Sequence, residues 1–251
     1  MDLASATPPR PGRSGASRCG PAAALVALLA ACGGDRATVR GSGELVQERR
    51  AQRHVGTVEI DTGVGLAVTV LALPPTAEPD GSKGSRIGDT IVWVEAPADL
   101  TRYVESRVVG DVLRIAVSDG VRLRPAPTVE VHVADLKTVR ATGAGSVRVD
   151  AEAGLGALEL EASDTVRLSA RGDVDRLELR LAGTADAHLF GLAARTAVVE
   201  HSGSGDGWLL VSEHLEARLV SSGDVFVDGA PSVAAEVTGS GEVLEAAKRG
   251  E

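Results

Sequence analysis

The stretch "HSGSGDG" at residues 201–207 returns in altered form as "ATGAGSV" at 141–147, "LVSSGDV" at 219–225 and "VTGSGEV" at 237–243. In each copy, small residues and glycine precede an apolar or small residue. Alignment on that residue gives spacings of 19, 19, 22, 18 and 18 along the column Val147, Val166, Ala185, Gly207, Val225 and Val243. A repeat of this length is typical of proteins in which one small unit stacks on the next.

Apolar and polar residues alternate on both sides of the repeated segment, which indicates short β-strands. Further strands are predicted within 58–70, 91–94, 112–117 and 129–133, and residues 73–88 form a Pro-, Gly- and Ser-rich loop. We expect an all-β protein, most simply a right-handed parallel β-helix or β-solenoid. It would have about six C-terminal rungs from about residue 136 and a strand-rich N-terminal part. An antiparallel sandwich is the alternative, but it does not predict aligned columns.

The corner of each unit is glycine in all copies but one. A tight corner requires a residue with positive φ, which glycine adopts freely and Asp tolerates. A phosphate-binding loop is not expected, because neither a helix nor a lysine follows the glycines. We therefore predict a structural role for the corner column Gly145, Asp164, Gly183, Gly205, Gly223 and Gly241.

The N-terminus resembles the signal peptide of a bacterial lipoprotein. Three arginines precede an apolar run over 21–31, which is too short to span a bilayer and ends in "LAAC" at 29–32. We predict a signal peptide at 1–31, lipid attachment at Cys32, a tether at 32–53, the solenoid domain at 54–245 and a tail at 246–251. The chain would be anchored by its lipid in the cell envelope, in the outer membrane where one exists. An ordinary secretory peptide is the alternative.

The charge of the chain argues against nucleic acid as a partner. The formal net charge is −9, and removal of residues 1–31, with three Arg and one Asp, would change it to −11. No basic stripe is available to displace the counterions of a phosphate backbone. We expect an unidentified protein or glycan ligand, with self-association as a further option.

Two columns beside the corners are candidate sites. Asp206, Asp224 and Glu242 would stack about 5 Å apart, either as a calcium site or as solvated turn residues, and no other cofactor is expected. The outward column ends in Trp208, Phe226 and Leu244, which form either a binding stripe or a surface covered by the tail 246–251.

Catalysis finds little support in the sequence. The five histidines include no pair at metal-ligand spacing. Glu159, Glu178 and Glu200 align in an outward column flanked by Arg140 and Arg218, an arrangement typical of a solvated charge ladder. We expect a non-catalytic protein of adhesion or envelope organisation. A polysaccharide lyase or hydrolase and a sensor of a membrane complex are the alternatives.

Three stretches resemble the putative autotransporter adhesin, head GIN domain family of bacterial envelope proteins. They are "GSGELVQERRAQRHVGTVEIDTGVGLAVTV" at 41–70, "VVGDVLRIAV" at 108–117 and "VEVHVADLKTVRATGAGSVRV" at 129–149. The resemblance extends over about residues 41–245 and implies a secreted or lipid-anchored β-helical domain without an established activity. Asp164 and "RLAGTADAHL" at 180–189 depart from the family's glycine corner. The resemblance supplies no catalytic residues.

Overall fold

The computed structural model describes residues 37–74, 88–220 and 222–246, apart from the side chains of residues 64, 152 and 153. The chain divides into two compact units, Met1–Gly34 and Asp35–Glu251, and every described residue belongs to the second. The predicted signal peptide and Cys32 therefore lie outside the described residues. Within the described ranges, no helix has the length and apolar character needed to cross a membrane.

The described residues are all-β, apart from one 3-10 turn at Thr101–Tyr103. Each strand predicted from the alternating pattern is present. The strands are β1 (Ala37–Arg40), β2 (Leu45–Gln52), β3 (Thr57–Leu73), β4 (Thr90–Pro97), β5 (Val104–Val109), β6 (Val112–Val117), β7 (Val121–Arg124), β8 (Thr128–Ala134), β9 (Thr138–Ala162), β10 (Arg167–Leu181), β11 (Asp186–His201), β12 (Gly207–Leu219), β13 (Val225–Asp228), β14 (Ser232–Val237) and β15 (Val243–Glu245).

Most of these strands belong to one long sheet. Its order is β15-β13-β12-β11-β10-β9-β3-β8-β4-β2, with β14 paired to β12 and β6 paired to β3. From β9 to β12 each strand pairs in parallel with the next strand in the sequence. An antiparallel sandwich is therefore excluded for the repeat region, because its neighbouring strands would run in opposite directions. A separate parallel pair joins β1 to β7.

The tether predicted at 32–53 contains two paired strands, since Ala37–Arg40 form β1 beside β7 and Leu45–Gln52 form β2, antiparallel to β4. The alternating pattern did not predict β2, because its inner side carries an ion pair where an apolar residue would be expected. The Nε of Arg50 donates to Glu48 at 2.9 Å, and its NH1 and NH2 donate to the carbonyls of Val104 and Thr101 at 2.6 and 3.0 Å.

We call each successive repeat of the chain along the sheet a level. Aliphatic side chains from successive levels, between Val55 and Val227, form one continuous core. Leu158 and Leu160 of β9 lie directly beside Leu177 and Leu179 of β10, and all four are at most 1% exposed. Each such side chain contributes roughly 1.5–3 kcal/mol by leaving water. Because the ladder places like residues side by side, a core without aromatic rings can still be closely packed.

In the column aligned on Val147, the register differs from the prediction by two residues at two places. Val147 lies beside Leu168, where Val166 was expected, and Ala187 lies beside Gly207, where Ala185 was expected. The column from Gly207 through Val225 to Val243 is as predicted. A slide of two residues keeps every side chain on its face of a strand, so the alternating pattern fits both registers.

The predicted reason for the corner glycines is correct at Asp164 and Gly183, whose φ angles are 61° and 68°. It is wrong at the other four positions, where φ is not left-handed. There the preceding level of the sheet comes too close for a side chain. A Cβ added to Gly205 would lie 2.0 Å from the carbonyl oxygen of Ala185, and one added to Gly223 would lie 1.9 Å from that of Gly205. The same crowding holds at Gly145 and Gly241, with Cβ-to-oxygen distances of 2.3 and 2.1 Å.

Candidate binding surfaces

The predicted aromatic stripe lies in one row on the outer face of the sheet. Trp208 pairs with Phe226 and Phe226 with Leu244, and His188 extends the row on the other side of Trp208. The ring centroids of His188 and Trp208 are 4.2 Å apart, and those of Trp208 and Phe226 are 5.6 Å apart, with interplanar angles of 10° in both pairs. The structure therefore brings the three predicted residues together and adds a histidine.

This stacking limits what the stripe can bind. Both faces of the Trp208 ring are covered by its neighbours, so the ring presents mainly its edge to solvent. A sugar that stacks on an aromatic ring needs a free face, and this geometry provides none at Trp208. Stacked rings of this kind stabilise the ladder that carries them. Of the tail at 246–251, which was the alternative cover for the stripe, the structure describes only Ala246.

The predicted carboxylate column consists of linked turn residues. The backbone N–H of Asp206 donates to Asp186, that of Asp224 to Asp206, and that of Glu242 to Asp224, at 3.1, 3.0 and 2.9 Å. Each accepting carboxylate thus uses one oxygen to fasten the next level of the ladder. Among the residues that the structure describes, no group of three or more His, Cys, Asp or Glu side chains has the geometry of a metal site. This arrangement favours the turn interpretation over calcium.

His201 fills the core beside one corner and is 1% exposed. Its Nδ1 accepts the backbone N–H of Gly203 at 3.3 Å, so its Nε2 carries the proton and donates to the carbonyl of Gly205 at 2.7 Å. Both ring nitrogens are therefore used by the "HSGSGDG" segment itself. His201 stabilises the corner and has no free nitrogen for proton transfer.

A groove runs across the ladder along the end of the strands that lead into these corners. Its volume is about 890 Å³, and it crosses seven neighbouring chain segments of β6, β3, β9 (twice), β10, β11 and β12. One wall is a row of charged side chains. Its floor is formed by the residues one and two positions further along each strand. The first are core residues such as Ile60, Ile115 and Leu181, and the second are mostly small, with Asp61 and Val220 in the same series: Ala116, Thr142, Ser163, Ala182 and Ser202.

The charges in this wall alternate in sign from one strand to the next. In sheet order, the row is Arg114, Glu59, Arg140, Glu161, Arg180, Glu200 and Arg218. We call these seven residues, with Glu236 of β14 beside Arg218, the charge row. Cross-strand neighbours of opposite sign attract one another at the strand spacing of about 4.8 Å.

Ion pairs connect most neighbours of the charge row. The Nε of Arg114 lies 2.8 Å from Glu59, the Nε of Arg140 lies 2.9 Å from Glu161, and the Nε of Arg180 lies 3.2 Å from Glu200. The NH1 of Arg180 also reaches Glu161 at 3.0 Å. The contacts among these neighbours use only part of the five N–H donors of each arginine.

Arg180 is the most strongly held member of the row. Its guanidinium also donates to Glu159, in the neighbouring row, and this contact is the main reason why the pKa of Arg180 is raised. Burial alone would raise the pKa of Glu159, but hydrogen bonds from Arg180 and Thr138 outweigh burial and lower it. The shifts stabilise the charged form of both groups, so the pair stays ionised across the physiological pH range.

The sequence-based column of Glu159, Glu178 and Glu200 is wrong in its last member. Glu178 does lie beside Glu159, but Glu200 lies beside Arg180 and belongs to the charge row. The groove was missed for the same reason. Its signal is an alternation of sign at spacings of 21, 19, 20, 18 and 18 residues from Arg140 to Glu236, and that alternation becomes visible only in the correct register.

Fold and surface together define the chain as an all-β protein with a long, mostly parallel sheet and an open groove that runs beside the charge row. A solved structure of the same fold is a putative adhesin from Bacteroides fragilis, with a TM-score of 0.59 and 13% sequence identity over 83% of this chain and 100% of that one. A putative lipid binding protein from Parabacteroides distasonis gives 0.48 and 15% over 84% and 100%. No curated protein matches the chain.

The model of one protein family matches residues 89–245, which is well over half of the chain. The chain therefore belongs to the family described as "Putative auto-transporter adhesin, head GIN domain". The family resemblance noted in the sequence is thereby confirmed.

Proposed function

We propose that this chain is a lipid-anchored binding module of the bacterial cell envelope that acts in adhesion or envelope organisation without catalysis. Its sheet would wind as a right-handed β-solenoid, with each long strand bending between two corners of one level. The sequential parallel pairing of β9 to β12 supports this winding. The lipid on Cys32 would hold the solenoid at a membrane surface, in the outer membrane where one exists.

The observation that carries the binding role is the groove with its charge row. It is open along seven chain segments, so it can receive an extended ligand. Ion pairs such as Arg140 to Glu161 and Arg180 to Glu200 hold its acids and bases in position. A rigid, pre-paired polar wall holds a ligand at little cost in side-chain entropy.

Three carboxyl groups of the chain lack the raised pKa that a glycosidic acid needs. Hydrolysis of a glycosidic bond uses one carboxyl group with a raised pKa as the acid. The pKa values of Glu48, Asp99 and Glu159 are lowered, because side-chain or backbone hydrogen bonds stabilise each carboxylate. These three groups are therefore unsuited to deliver a proton near neutral pH.

Fractionation and co-sedimentation test the two parts of this proposal. We expect the full chain, expressed in a bacterium, to incorporate labelled fatty acid and to sediment with membranes, and Cys32→Ala to abolish both. We expect the purified soluble body to bind isolated envelopes in a saturable manner. A Cys32→Ala protein that still carried lipid would refute the anchor, and the absence of saturable binding would refute the binding role. Turnover of envelope polysaccharide that depends on Glu178 or Glu200 would establish the enzymatic alternative.

A further inference from the structure

We propose that the groove binds a single, uncharged, extended polysaccharide chain that lies across the strands, along the charge row. This inference rests on the proposed binding function and specifies its ligand. Neither the aromatic stripe nor the carboxylate column contributes to it, since their contacts are directed toward neighbouring levels of the ladder.

The dimensions of the groove fit one polymer chain. Seven neighbouring segments at about 4.8 Å span about 29 Å, so the groove is long and open to solvent. A single linear chain laid across the strands would meet each segment in turn.

The charges exclude a strongly ionic ligand. The groove is lined by four arginines and by four acids, of which Asp61 is the one outside the charge row. Their formal charges cancel, and they alternate along the groove, so neither a polyanion nor a polycation gains from the summed field. A neutral ligand avoids the repulsion that either would meet at every second strand.

The chemistry of the wall matches a chain of hydroxyl groups. Guanidinium groups only donate hydrogen bonds, and carboxylates only accept them. A hydroxyl group does both, so each sugar can accept from an arginine and donate to the neighbouring glutamate. The small floor residues, such as Ser163 and Ala182, allow a sugar ring to approach the backbone closely.

The repeat of the wall distinguishes a glycan from a peptide. Like charges recur every second strand, at about 9.6 Å, which is close to the disaccharide repeat of an extended β-linked glycan. An extended peptide advances about 3.3–3.4 Å per residue and alternates its side chains with a period of two, so its groups lose register with the strands after a few residues. A glycan keeps one sugar per strand along the whole groove.

Calorimetric titration of the purified protein tests this assignment with cellohexaose and chitohexaose as neutral β-linked probes. We expect at least one to bind, and the affinity to rise at least tenfold from the trisaccharide to the hexasaccharide, because the longer chain spans more of the groove. Heparin and polylysine, as charged controls, should bind at least tenfold more weakly at physiological salt. Equal affinity for the trisaccharide and the hexasaccharide would contradict a groove-length site.

A matched pair of variants locates the site. Ser202 lies on the groove floor, and Ser204, on the same corner, does not line the groove. Both residues are exposed, so Ser202→Trp and Ser204→Trp should fold alike by circular dichroism. We expect Ser202→Trp to reduce glycan affinity at least tenfold and Ser204→Trp to leave it within twofold.

Two results would overturn the ligand class while leaving the proposed function intact. One is saturable envelope binding by a protein that binds neither oligosaccharide. The other is binding of an extended peptide in the groove that Ser202→Trp abolishes. If the unmodified protein bound neither isolated envelopes nor the oligosaccharides, the proposed function itself would be refuted.

Discussion

Gly205 and Gly156 provide a direct test of why glycine recurs at the corners. A Cβ on Gly205 would lie 2.0 Å from the carbonyl oxygen of Ala185 in the preceding level, whereas a Cβ on Gly156 would meet nothing within 4 Å. Neither glycine has a left-handed φ. A left-handed backbone therefore opposes neither substitution to alanine, and the space available to the new methyl group differs sharply between them.

The expected effects have opposite signs. To accept Gly205→Ala, two adjacent levels must separate by about 1 Å, which strains the packing by about 1–3 kcal/mol. The separation also weakens the two hydrogen bonds that flank Gly205, from Ser204 N to Gly183 O at 2.7 Å and from Asp206 N to Asp186 Oδ1 at 3.1 Å, at about 1 kcal/mol each. The total loss is about 3–5 kcal/mol. Gly156→Ala restricts only the unfolded chain and should stabilise the protein by about 0.4–1 kcal/mol.

Urea denaturation followed by far-ultraviolet circular dichroism measures both changes, with thermal unfolding as a second readout. For a protein of this size, about 2–4 °C of melting temperature corresponds to 1 kcal/mol. Gly205→Ala should therefore lower the melting temperature by about 10 °C, and Gly156→Ala should raise it by about 1–4 °C. If Gly205→Ala unfolded within 2 °C of the unmodified protein, the close approach of the two levels would be refuted.

Three further outcomes are expected. Because the pKa of Glu159 is lowered in the folded state, the stability that this carboxylate contributes is present above its ordinary pKa of 4.5 and is lost as the pH falls through its folded-state pKa. Glu159→Gln should therefore lower the free energy of unfolding, measured by urea denaturation, by about 0.5–1 kcal/mol at pH 7 and by less at pH 3. An equal loss at both pH values would contradict the pairing with Arg180. Trp208→Ala should lower the melting temperature by about 4–10 °C, because it removes a half-buried ring and two stacking contacts, and it should leave glycan affinity unchanged. Loss of glycan binding without loss of stability would identify the aromatic stripe as the binding site. Calcium at millimolar concentration should not raise the melting temperature, because Asp224 already accepts the N–H of Glu242; a rise that Asp224→Asn abolishes would restore the predicted calcium site.

The alternation of apolar and polar residues was sufficient to predict the strands but not their partners. Inward residues such as Leu158, Leu177 and Leu209 are buried as expected, because one strand face must leave water wherever the strand lies in the sheet. Strand β2 escaped prediction because the Glu48–Arg50 pair occupies its inner side. A polar pair satisfies the same position without contributing to an apolar pattern.

The reason why glycine is required at the corners could be predicted only in part from the sequence. A glycine required by a left-handed φ and a glycine required by a close neighbour are identical letters in a sequence. Gly183 is of the first kind and Gly223 of the second. Distinguishing them requires the distance between two levels of the ladder, and that distance depends on segments about 18–20 residues apart in the chain.

The charge row supplies the register information that the apolar pattern lacks. Glu178 faces Glu159 in the structure, and in the register inferred from the apolar columns Glu200 would face Glu178 as well, so three like charges would follow one another at about 4.8 Å. Like charges directly opposite one another in a sheet are destabilising. In the structure, Glu200 is displaced by two residues and faces Arg180, with 3.2 Å between Oε2 and Nε. The apolar faces are identical in the two registers, so the alternating charges select between them. The same alternation that leaves the groove neutral toward a ligand thus also fixes how the levels align.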